Sequence, residues 1–503
     1  MDLGLQNIPT LAILPFFLFL FTVFSIFWRI KTQPSNSKLP PGPPKLPLIG
    51  NLHQLGAMPH HGLTKLSHQY GPLMHIKLGA LSTIVVSSPE TAKEVMKTHD
   101  IIFANRPYLL ALDVITYGSK AMSSSPYGSY WRQMKKICTF ELLTPKRVES
   151  FQAIREEEAS YLVKEIGLSE GSSINLTKMI NSFSYGLTSR VAFGGKSADQ
   201  EAFIIVMKDV LKVVSGFSLA DMYPIKVLQV LTGLRSKVEK IHKEVDRILE
   251  KIVNDHRDTS SETKETNEDL VDVLLKLQKQ NNLEHPLSDS VIKATILDIF
   301  GGGSGTSAKT SEWAMSELVK NPRAMEKAQA EVRSVFGEKG HVDEANFHEL
   351  KYLKSVIKET LRLHIPVPLL LPRECSERCE INGYEIPTKS KVIVNAWAIG
   401  RDPNYWIEAE KFCPERFLDS IVDYKGADFQ FIPFGAGRRM CPGSTFGITN
   451  VELLLANLLF HFDWKMPNGN RPEELDMTES FGLSVRRKHD LYLIPSICHS
   501  FTK

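Results

Sequence analysis

The sequence predicts a mainly α-helical protein with a small β part and one transmembrane helix at its N-terminus. Long stretches place apolar residues three and four positions apart, whereas only a few short runs are rich in β-branched residues. Residues 8–28 form an apolar run without a single charge. With 503 residues, of which 43% are hydrophobic, the chain can form one large or two closely packed globular units.

The apolar run is long enough to cross a membrane, because about twenty helical residues span the ~30 Å hydrocarbon layer. A cleaved signal peptide is the alternative, but the run lacks a basic leader and no small-residue cleavage pattern follows it. Asp2 is the only charged side chain before the run, and basic residues follow it at Arg29, Lys31, Lys38 and Lys45. The positive-inside rule therefore predicts residues 1–30 as an anchor, with the rest of the chain in the cytosol.

A proline-rich segment separates the anchor from the globular part. Residues 39–47 read Leu-Pro-Pro-Gly-Pro-Pro-Lys-Leu-Pro, and the fixed φ of proline favours a stiff, extended spacer. We expect residues 31–50 to act as a hinge and residues 51–503 to form the globular domain.

Hydrophobic periodicity places the main elements of that domain. Short strands are predicted at 73–79 and 83–87, and a hairpin-like pair within 379–395. Helices are predicted at 153–166, 238–255, 346–364 and 447–460. The longest predicted helix covers 287–321, with Ser288 and Ser290 as N-cap candidates and Asn321-Pro322 as its stop.

The charge balance argues against a nucleic-acid-binding protein. Lys and Arg number 60 and Asp and Glu 57, which gives a net charge of only +3, whereas such proteins draw affinity from neutralising phosphates. The six cysteines are sparse and irregularly spaced, unlike a disulfide framework. A reducing compartment is therefore expected.

One cysteine lies in a glycine- and arginine-rich loop, residues 434–443, just before an apolar helix. Glycines let a backbone approach a flat ligand and adopt positive φ. Backbone N–H groups and a helix N-terminus stabilise a thiolate and lower its pKa. Arg439 can neutralise a carboxylate on the same ligand.

This loop resembles the haem-binding loop of the cytochromes P450, Phe-x-x-Gly-x-Arg-x-Cys-x-Gly. The pattern is met in full by Phe434, Gly437, Arg439, Cys441 and Gly443. The resemblance implies a cytochrome P450 fold with residues 51–503 as the catalytic domain, haem b as cofactor and Cys441 as the ligand of its iron. Since thiolate ligation favours O–O cleavage, the implied activity is that of a monooxygenase using O2.

Two further motifs resemble P450 elements. Glu359 and Arg362 match Glu-x-x-Arg, and Arg416 lies in Pro-Glu-Arg-Phe. A Glu/Arg pair three apart on a helix shares a face, but alone it is usually a solvated surface pair. The resemblance implies that Glu359, Arg362 and Arg416 form an ionic network that locks the segment presenting Cys441.

The family also implies residues that contact the haem propionates. Trp131 begins a segment similar to Trp-x-x-x-Arg, with Lys135 in the arginine's place. Lysine keeps the charge but loses the bidentate fork, so Arg132 or Lys136 can share the task. A basic surface facing a redox partner is the alternative for Lys136, and Arg373 matches another propionate position.

The longest predicted helix carries four glycines within residues 301–305. Each glycine lowers the stability of a helix by about 1 kcal/mol relative to alanine. Their presence indicates that this part of the helix must be free of side chains, as it would be beside a flat haem with dioxygen. A flexible hinge is the alternative.

The family usually places an acid and then an alcohol here to deliver protons. Thr306 matches the alcohol, but Gly305 occupies the acid position. One interpretation is that ordered water, Ser304 or a substrate hydroxyl replaces the acid. The other is that slow protonation leads to rearrangement, desaturation or C–C coupling. Hydroxylation is the default expectation for the reaction.

The proline-rich hinge, the cysteine loop and residues 476–482, which read Asp-Met-Thr-Glu-Ser-Phe-Gly, are together similar to plant microsomal P450s. This implies a single-pass protein of the endoplasmic reticulum membrane with its catalytic domain on the cytosolic face. The chain has no G-x-G-x-x-G after a strand, so NADPH and flavins are expected to act only through NADPH–cytochrome P450 reductase. The candidates for docking that partner are Lys135, Lys136, Arg438 and Arg439.

Analogy with the family also places the walls of a substrate pocket. They comprise Leu112, Val114, Ile115, Phe217, Phe300, Gly301, Val367, Leu370, Phe481 and Leu483. These residues are mostly apolar and favour a small lipophilic substrate, with a sesqui- or diterpenoid preferred over an alkaloid, coumarin or flavonoid.

Two other functions stay open at this point: an oxygen-independent thiolate-haem isomerase or dehydratase, and a membrane-tethered haem carrier without turnover.

Overall fold

The computed structural model describes Phe17 and residues 38–195, 198–214, 218–223, 229, 232–259 and 268–499. Apart from Phe17, the predicted anchor of residues 1–30 lies outside the described residues. Within the described ranges, no helix combines the length and the apolar character needed to cross a membrane.

Helices form most of the described chain, as the sequence predicts. In the N-terminal half they are α1 (Pro59–Tyr70), α2 (Pro89–Lys93), α3 (Leu110–Ile115), α4 (Ser129–Ile137), α5 (Pro145–Ser150), α6 (Gln152–Gly167), α7 (Leu176–Phe193), α8 (Ala198–Val213), α9 (Leu219–Met222) and α10 (Leu234–Thr259). The C-terminal half contributes α11 (Leu270–Gln280), α12 (Asp289–Lys320), α13 (Pro322–Phe336), α14 (Lys351–Leu363), α15 (Ala396–Ile399) and α16 (Ser444–His461).

The strands form small sheets at the margins of this helical body. They are β1 (Leu73–Leu78), β2 (Leu81–Val86), β3 (Ile174–Asn175), β4 (Arg373–Glu374), β5 (Cys379–Ile381), β6 (Tyr384–Ile386), β7 (Lys391–Val394), β8 (Phe462–Lys465), β9 (Glu479–Ser480), β10 (Arg486–Arg487) and β11 (Tyr492–Ile497). The largest sheet has the order β1-β2-β7-β4, in which only β2 and β7 run parallel. A second sheet has the order β3-β11-β8, and β5-β6 and β9-β10 are separate pairs.

Two sequence predictions need correction. Only β5 and β6 of the segment 379–395 form a hairpin, because β7 is buried along its whole length and joins the larger sheet beside β2. The predicted helix 346–364 is two elements, a 3₁₀ turn at Glu344–Glu349 and α14, because Leu350 between them has a non-helical ψ of 67°. Periodicity alone does not detect such a break, since the apolar spacing continues across it.

The described part of the hinge, residues 38–50, packs on the domain. The His75 N–H donates to the Pro41 carbonyl at 2.9 Å, and the Asn51 amide donates to the Pro44 carbonyl at 3.0 Å. A Cβ at Gly42 would lie 1.9 Å from the His75 carbonyl oxygen, so only glycine allows this approach. The prolines therefore lie in a backbone path fixed against β1.

Helix α12 is the central element. Ser288 is its N-cap residue, and Pro322 opens the next helix after the stop at Asn321, as predicted. It packs against α7 and α16, and most of its residues are buried. At 1.5 Å per residue it crosses the domain, and its glycine-rich middle borders the site described next.

Candidate active site

An internal cavity of about 430 Å³ is lined by the glycine-rich part of α12 and by the loop that carries Cys441. It contains most of the residues that the sequence singles out. The predicted cofactor and catalytic residues along its wall are Trp131, Lys135, Gly305, Thr306, Arg373, Phe434, Arg439, Cys441 and Gly443. The predicted substrate-pocket residues along it are Leu112, Ile115, Gly301, Val367, Leu370, Phe481 and Leu483.

Other predicted residues lie elsewhere. Phe300 and Ser304, one turn apart, lie on the buried face of α12, where the Ser304 hydroxyl donates to the Phe300 carbonyl at 2.7 Å. The Phe300 ring packs on Phe203, with centroids 4.8 Å apart, so the expectation that it forms a cavity wall is wrong. Val114 also faces the hydrophobic core, because the cavity side of α3 is formed by its neighbours.

Arg132 and Gly437 line a groove beside the cavity rather than the cavity itself. The Arg132 guanidinium lies over the Tyr127 ring, 5.9 Å from its centroid. Its side chain is exposed, which does not suit contact with a buried ligand. Phe217 lies outside the described residues.

The cysteine loop folds tightly. The Cys441 N–H donates to the Phe434 carbonyl at 3.0 Å, and the Lys135 ammonium donates to the Met440 carbonyl at 2.7 Å. Gly437 has a φ of 68°, and a Cβ there would lie 2.1 Å from the Met96 carbonyl oxygen, so this position requires glycine. These contacts hold Cys441 deep in the protein with its side chain accessible from the cavity.

The protonation of Cys441 differs from the sequence expectation. Burial raises the pKa of its thiol, and the Gly443 N–H and the Lys135 ammonium only oppose that rise. The predicted contribution of backbone N–H groups to lowering the pKa is present at Gly443, but in the protein by itself loss of hydration outweighs it. A metal cation against the sulfur would supply the missing stabilisation of the thiolate.

Three arginines border the cavity near the cysteine loop: Arg373, which is buried, and Arg106 and Arg439, which are partly buried. Arg106 donates to the Leu371 and Pro372 carbonyls at 2.8 and 2.7 Å. Burial lowers the pKa of all three, that of Arg439 to about 9, and their positive charges add to this for Arg106 and Arg439. Such a cluster favours an anionic ligand, because negative charge would relieve this repulsion.

The predicted ionic network is present. The Arg362 Nε donates to Glu359 Oε2 at 2.7 Å, and the Arg416 Nε donates to Glu359 Oε1 at 2.9 Å. The side chains of Glu359 and Arg362 are 0% exposed. They are therefore not a solvated surface pair, which is what a Glu and an Arg three residues apart usually form. Arg362 also donates to the Gly400 and Ala409 carbonyls at 2.7 and 2.6 Å, which ties α14 to the irregular segment before the cysteine loop.

The glycines of α12 are not equivalent. A Cβ at Gly301 or Gly303 would meet a side chain at 3.4 Å, whereas one at Gly302 would have no atom within 4 Å. Gly302 thus presents bare backbone to the cavity. The Thr306 hydroxyl, one turn on, donates to the Gly302 carbonyl at 2.6 Å.

Sequence reasoning missed four charged cavity residues: Arg106, Asp298, Lys309 and Lys391. The Asp298 carboxylate accepts the Ser123 N–H at 2.8 Å, and burial raises its pKa. The contacts of Arg106 and Asp298 involve residues far away in sequence, so local spacing carries no signal for them. The signal for Lys309 was available: a lysine in the apolar pattern of α12, four residues after Gly305.

Comparison with known proteins identifies the family. The family model for cytochrome P450 matches residues 40–493. The chain belongs to the cytochrome P450 family. Cytochrome P450 71D10 of Glycine max is 56% identical over 95% of this chain and 95% of that protein. Tabersonine 16-hydroxylase 1 of Catharanthus roseus is 53% identical, covering 95% and 98% of the two chains, and salviol synthase of Salvia pomifera is 50% identical, covering 98% of each.

The fold agrees with this assignment. A zebra fish cytochrome P450 structure with abiraterone matches with a TM-score of 0.76 and 25% identity, over 88% of this chain and all (100%) of that one. The mainly helical architecture with small sheets is therefore the P450 fold, as predicted.

This P450 is a monooxygenase with haem as its cofactor. The cavity has the features that a haem requires. It offers a sulfur accessible from inside, three arginines whose charges oppose one another, and a helix face without a side chain at Gly302. An anionic, flat, iron-containing group satisfies all three at once.

Replacing Gly302 tests the bare helix face of this P450. Gly302→Ala is expected to raise the free energy of unfolding by up to about 1 kcal/mol, because alanine is the better helix former. In Gly302→Leu the leucine side chain is expected to enter the cavity. It would then lower either the amount of haem bound per protein or the affinity for substrate. Haem content and substrate-induced absorption changes measure this, and a leucine variant that equals the alanine variant in both would contradict it.

Proposed function

We propose that the protein is a membrane-anchored haem-thiolate monooxygenase of plant specialised metabolism that hydroxylates a sesqui- or diterpenoid. One observation supports this above all: the Cys441 side chain is accessible from a cavity whose wall also includes the bare backbone of α12. The reaction takes O2, and its electrons come from NADPH through NADPH–cytochrome P450 reductase.

In this proposal Cys441 binds the haem iron, and the arginine cluster with Trp131 holds the propionates. The bound haem supplies oxygen activation, because a thiolate ligand favours O–O cleavage. The Trp131 Nε1 already donates to the Met122 carbonyl at 3.1 Å, so its contribution is the position of its ring, over which the Arg439 guanidinium lies 4.5 Å from the centroid. Lys135 acts on the loop instead, through its bond to the Met440 carbonyl.

The apolar part of the cavity wall supports a terpenoid substrate. Leu112, Ile115, Val367, Leu370 and Leu483 line it. Such a wall gains binding free energy from burying a hydrocarbon skeleton, at roughly 25 cal/mol per Å² of apolar surface. A few polar groups then suffice to orient the substrate.

An alkaloid is the second candidate, and Asp298 favours it. This carboxyl borders the cavity and is buried, and a protonated substrate amine would pair with it. The 53% identity to tabersonine 16-hydroxylase 1 supports the same candidate.

Residues 1–30 are proposed as a single anchor in the endoplasmic reticulum membrane, residues 31–50 as the hinge and residues 51–503 as the catalytic domain on the cytosolic face. Arg132 and Arg438 are exposed along the groove beside the cysteine loop, and Lys136 is exposed one turn after Arg132 on α4, which suits docking of the reductase. Arg439 is turned inward to the Ala104 and Ser125 carbonyls at 2.7 and 2.6 Å, so it is not part of that surface.

Co-expression with a plant reductase in yeast tests the function. Cells receive a mixed panel of terpenoid and alkaloid skeletons, and mass spectrometry follows products that gain one oxygen. Terpenoid products that need NADPH are expected, with Asp298→Asn leaving their yield unchanged. Alkaloid products that Asp298→Asn abolishes would favour the second candidate, and product formation without NADPH or reductase would reject the monooxygenase reaction.

A further inference from the structure

The space beside Gly305 is bordered by two ionisable side chains. A Cβ built on Gly305 would lie 3.6 Å from the Lys309 Nζ and 3.6 Å from the Tyr185 hydroxyl oxygen. Lys309 is one helical turn further along α12, and Tyr185 comes from α7. An ammonium and a phenol thus converge where the family pattern has an acid.

Lys309 is placed to exchange a proton. It lines the cavity, and its ammonium donates to the Ser484 hydroxyl in the segment between β9 and β10. Burial lowers the pKa of Lys309 to about 8, with the positive charge of Arg486 acting in the same direction and the negative charge of Glu312 opposing it. A group with a pKa near the working pH is both protonated and able to release its proton.

Glu312 is the buried carboxyl nearest to Lys309 along α12. It lies three residues on, is buried, and accepts the Thr177 hydroxyl at 2.5 Å. Burial raises the pKa of Glu312, so this carboxyl also binds a proton more readily than a solvated one. Thr177 accepts the Leu491 N–H at 2.7 Å, next to Asp490, which is exposed. The Glu312 carboxyl therefore has a hydroxyl partner that itself contacts the segment beside exposed Asp490.

Tyr185 and Thr306 are two further polar residues beside Gly305. Burial raises the pKa of Tyr185, and Ser304 opposes that rise, so the phenol keeps its proton at neutral pH. Thr306 lines the cavity next to Gly305. A water molecule beside Gly305 would lie within reach of Lys309 and Tyr185 together.

We propose that Lys309 is the proton-relay residue of this monooxygenase, in place of the acid that Gly305 lacks, and that Glu312 reprotonates it. The inference rests on the proposed haem-thiolate function. Each delivery breaks one N–H bond of the Lys309 ammonium and leaves a neutral amine. The proton passes through water to the Thr306 hydroxyl, which leaves the Gly302 carbonyl and releases its own proton into the cavity. Glu312 in its neutral form then gives its proton to the amine, and the resulting carboxylate takes up a proton from solvent, which returns the relay to its starting state.

The overall reaction balances with this relay. One C–H bond, O2, two protons and two electrons give one hydroxyl product and one water. Both electrons come from the reductase, so the relay carries protons alone.

Cumene hydroperoxide tests the relay without substrate or reductase. Its O–O bond breaks heterolytically to cumyl alcohol when a proton reaches the leaving oxygen, and homolytically to acetophenone when none does. In the unmodified protein the ratio of cumyl alcohol to acetophenone is expected to fall as pH rises through about 8, the value to which burial lowers the pKa of Lys309. Lys309→Met is expected to lower the ratio at neutral pH by a factor on the order of 100, as for a lost general acid, and to flatten its pH profile.

Matched variants separate proton transfer from charge. Lys309→Arg keeps the cation but cannot release a proton, so it is expected to behave like Lys309→Met. Gly305→Glu added to Lys309→Met places an acid at the family position and is expected to restore the ratio. The carbon monoxide spectrum of the reduced protein reports that each variant has folded around its haem.

An unchanged ratio in Lys309→Met with an intact carbon monoxide band would overturn the inference, and so would a parental ratio in Lys309→Arg. A parental profile that does not change between pH 6 and pH 10 would also overturn it, and this needs no variant. Failure of the unmodified protein to give a thiolate-type carbon monoxide band would instead reject the proposed function.

Discussion

Replacing Cys441 by alanine is expected to abolish the carbon monoxide band of a thiolate-ligated haem and all NADPH-dependent oxygenation. The methyl group of alanine cannot bind iron, and in the proposed function the haem would then be held by propionate contacts and apolar packing. Absorption spectra of the reduced, carbon monoxide-treated protein measure the effect, and the haem-to-protein ratio shows how much pigment stays bound.

Cys138 provides the matched control, because it is a second cysteine on the wall of the same cavity. Burial raises the pKa of its thiol to about 12, and Asp298 adds to this, so it stays protonated. Cys138→Ala is expected to keep the haem and its spectrum. A Cys441→Ala protein with an unaltered spectrum would refute the assignment of the iron ligand.

Replacing Glu359 by glutamine is expected to lower the free energy of unfolding by about 3–5 kcal/mol, because it leaves buried Arg362 without its counter-charge. That is a large share of the roughly 5–15 kcal/mol that stabilises a typical protein. Arg416 loses the same partner, and the Cys413 N–H, which donates to Glu359 at 2.9 Å, keeps only a neutral acceptor. Urea-induced unfolding followed by circular dichroism measures the loss, and haem content is expected to fall with it.

Glu415→Gln is the control for this substitution. Glu415 lies one residue from Arg416 and pairs with Lys327 at 2.6 Å, but both side chains are about 40% exposed, at 38% and 41%. Its loss is expected to cost no more than about 1 kcal/mol. Replacing Arg362 by methionine together with Glu359→Gln is expected to recover part of the stability, since no unpaired charge then stays buried. Equal losses in Glu359→Gln and Glu415→Gln would contradict the structural role of the network.

Motif residues were the most predictable part of the site. The spacing around Cys441 and the pair Glu359 and Arg362 could be found from sequence, because their partners are near in the chain or belong to a known pattern. Phe300 shows the limit: a 3.6-residue period does not say which face of a fully buried helix meets a cavity and which meets the core. The role of β7 was missed for a similar reason, since a strand that is buried throughout carries no alternation to assign its sheet.

The sequence by itself determined the family, the mainly helical class, the loop that presents Cys441 and the absence of an acid at position 305, because these depend on residue identity at fixed spacing. Only the tertiary structure decided that Arg106 and Asp298 face the cavity, that Glu359 is buried between two arginines, and that the Tyr185 hydroxyl approaches Gly305. Desolvation and charge in a closed space depend on segments that meet across hundreds of residues, and local spacing does not record those meetings.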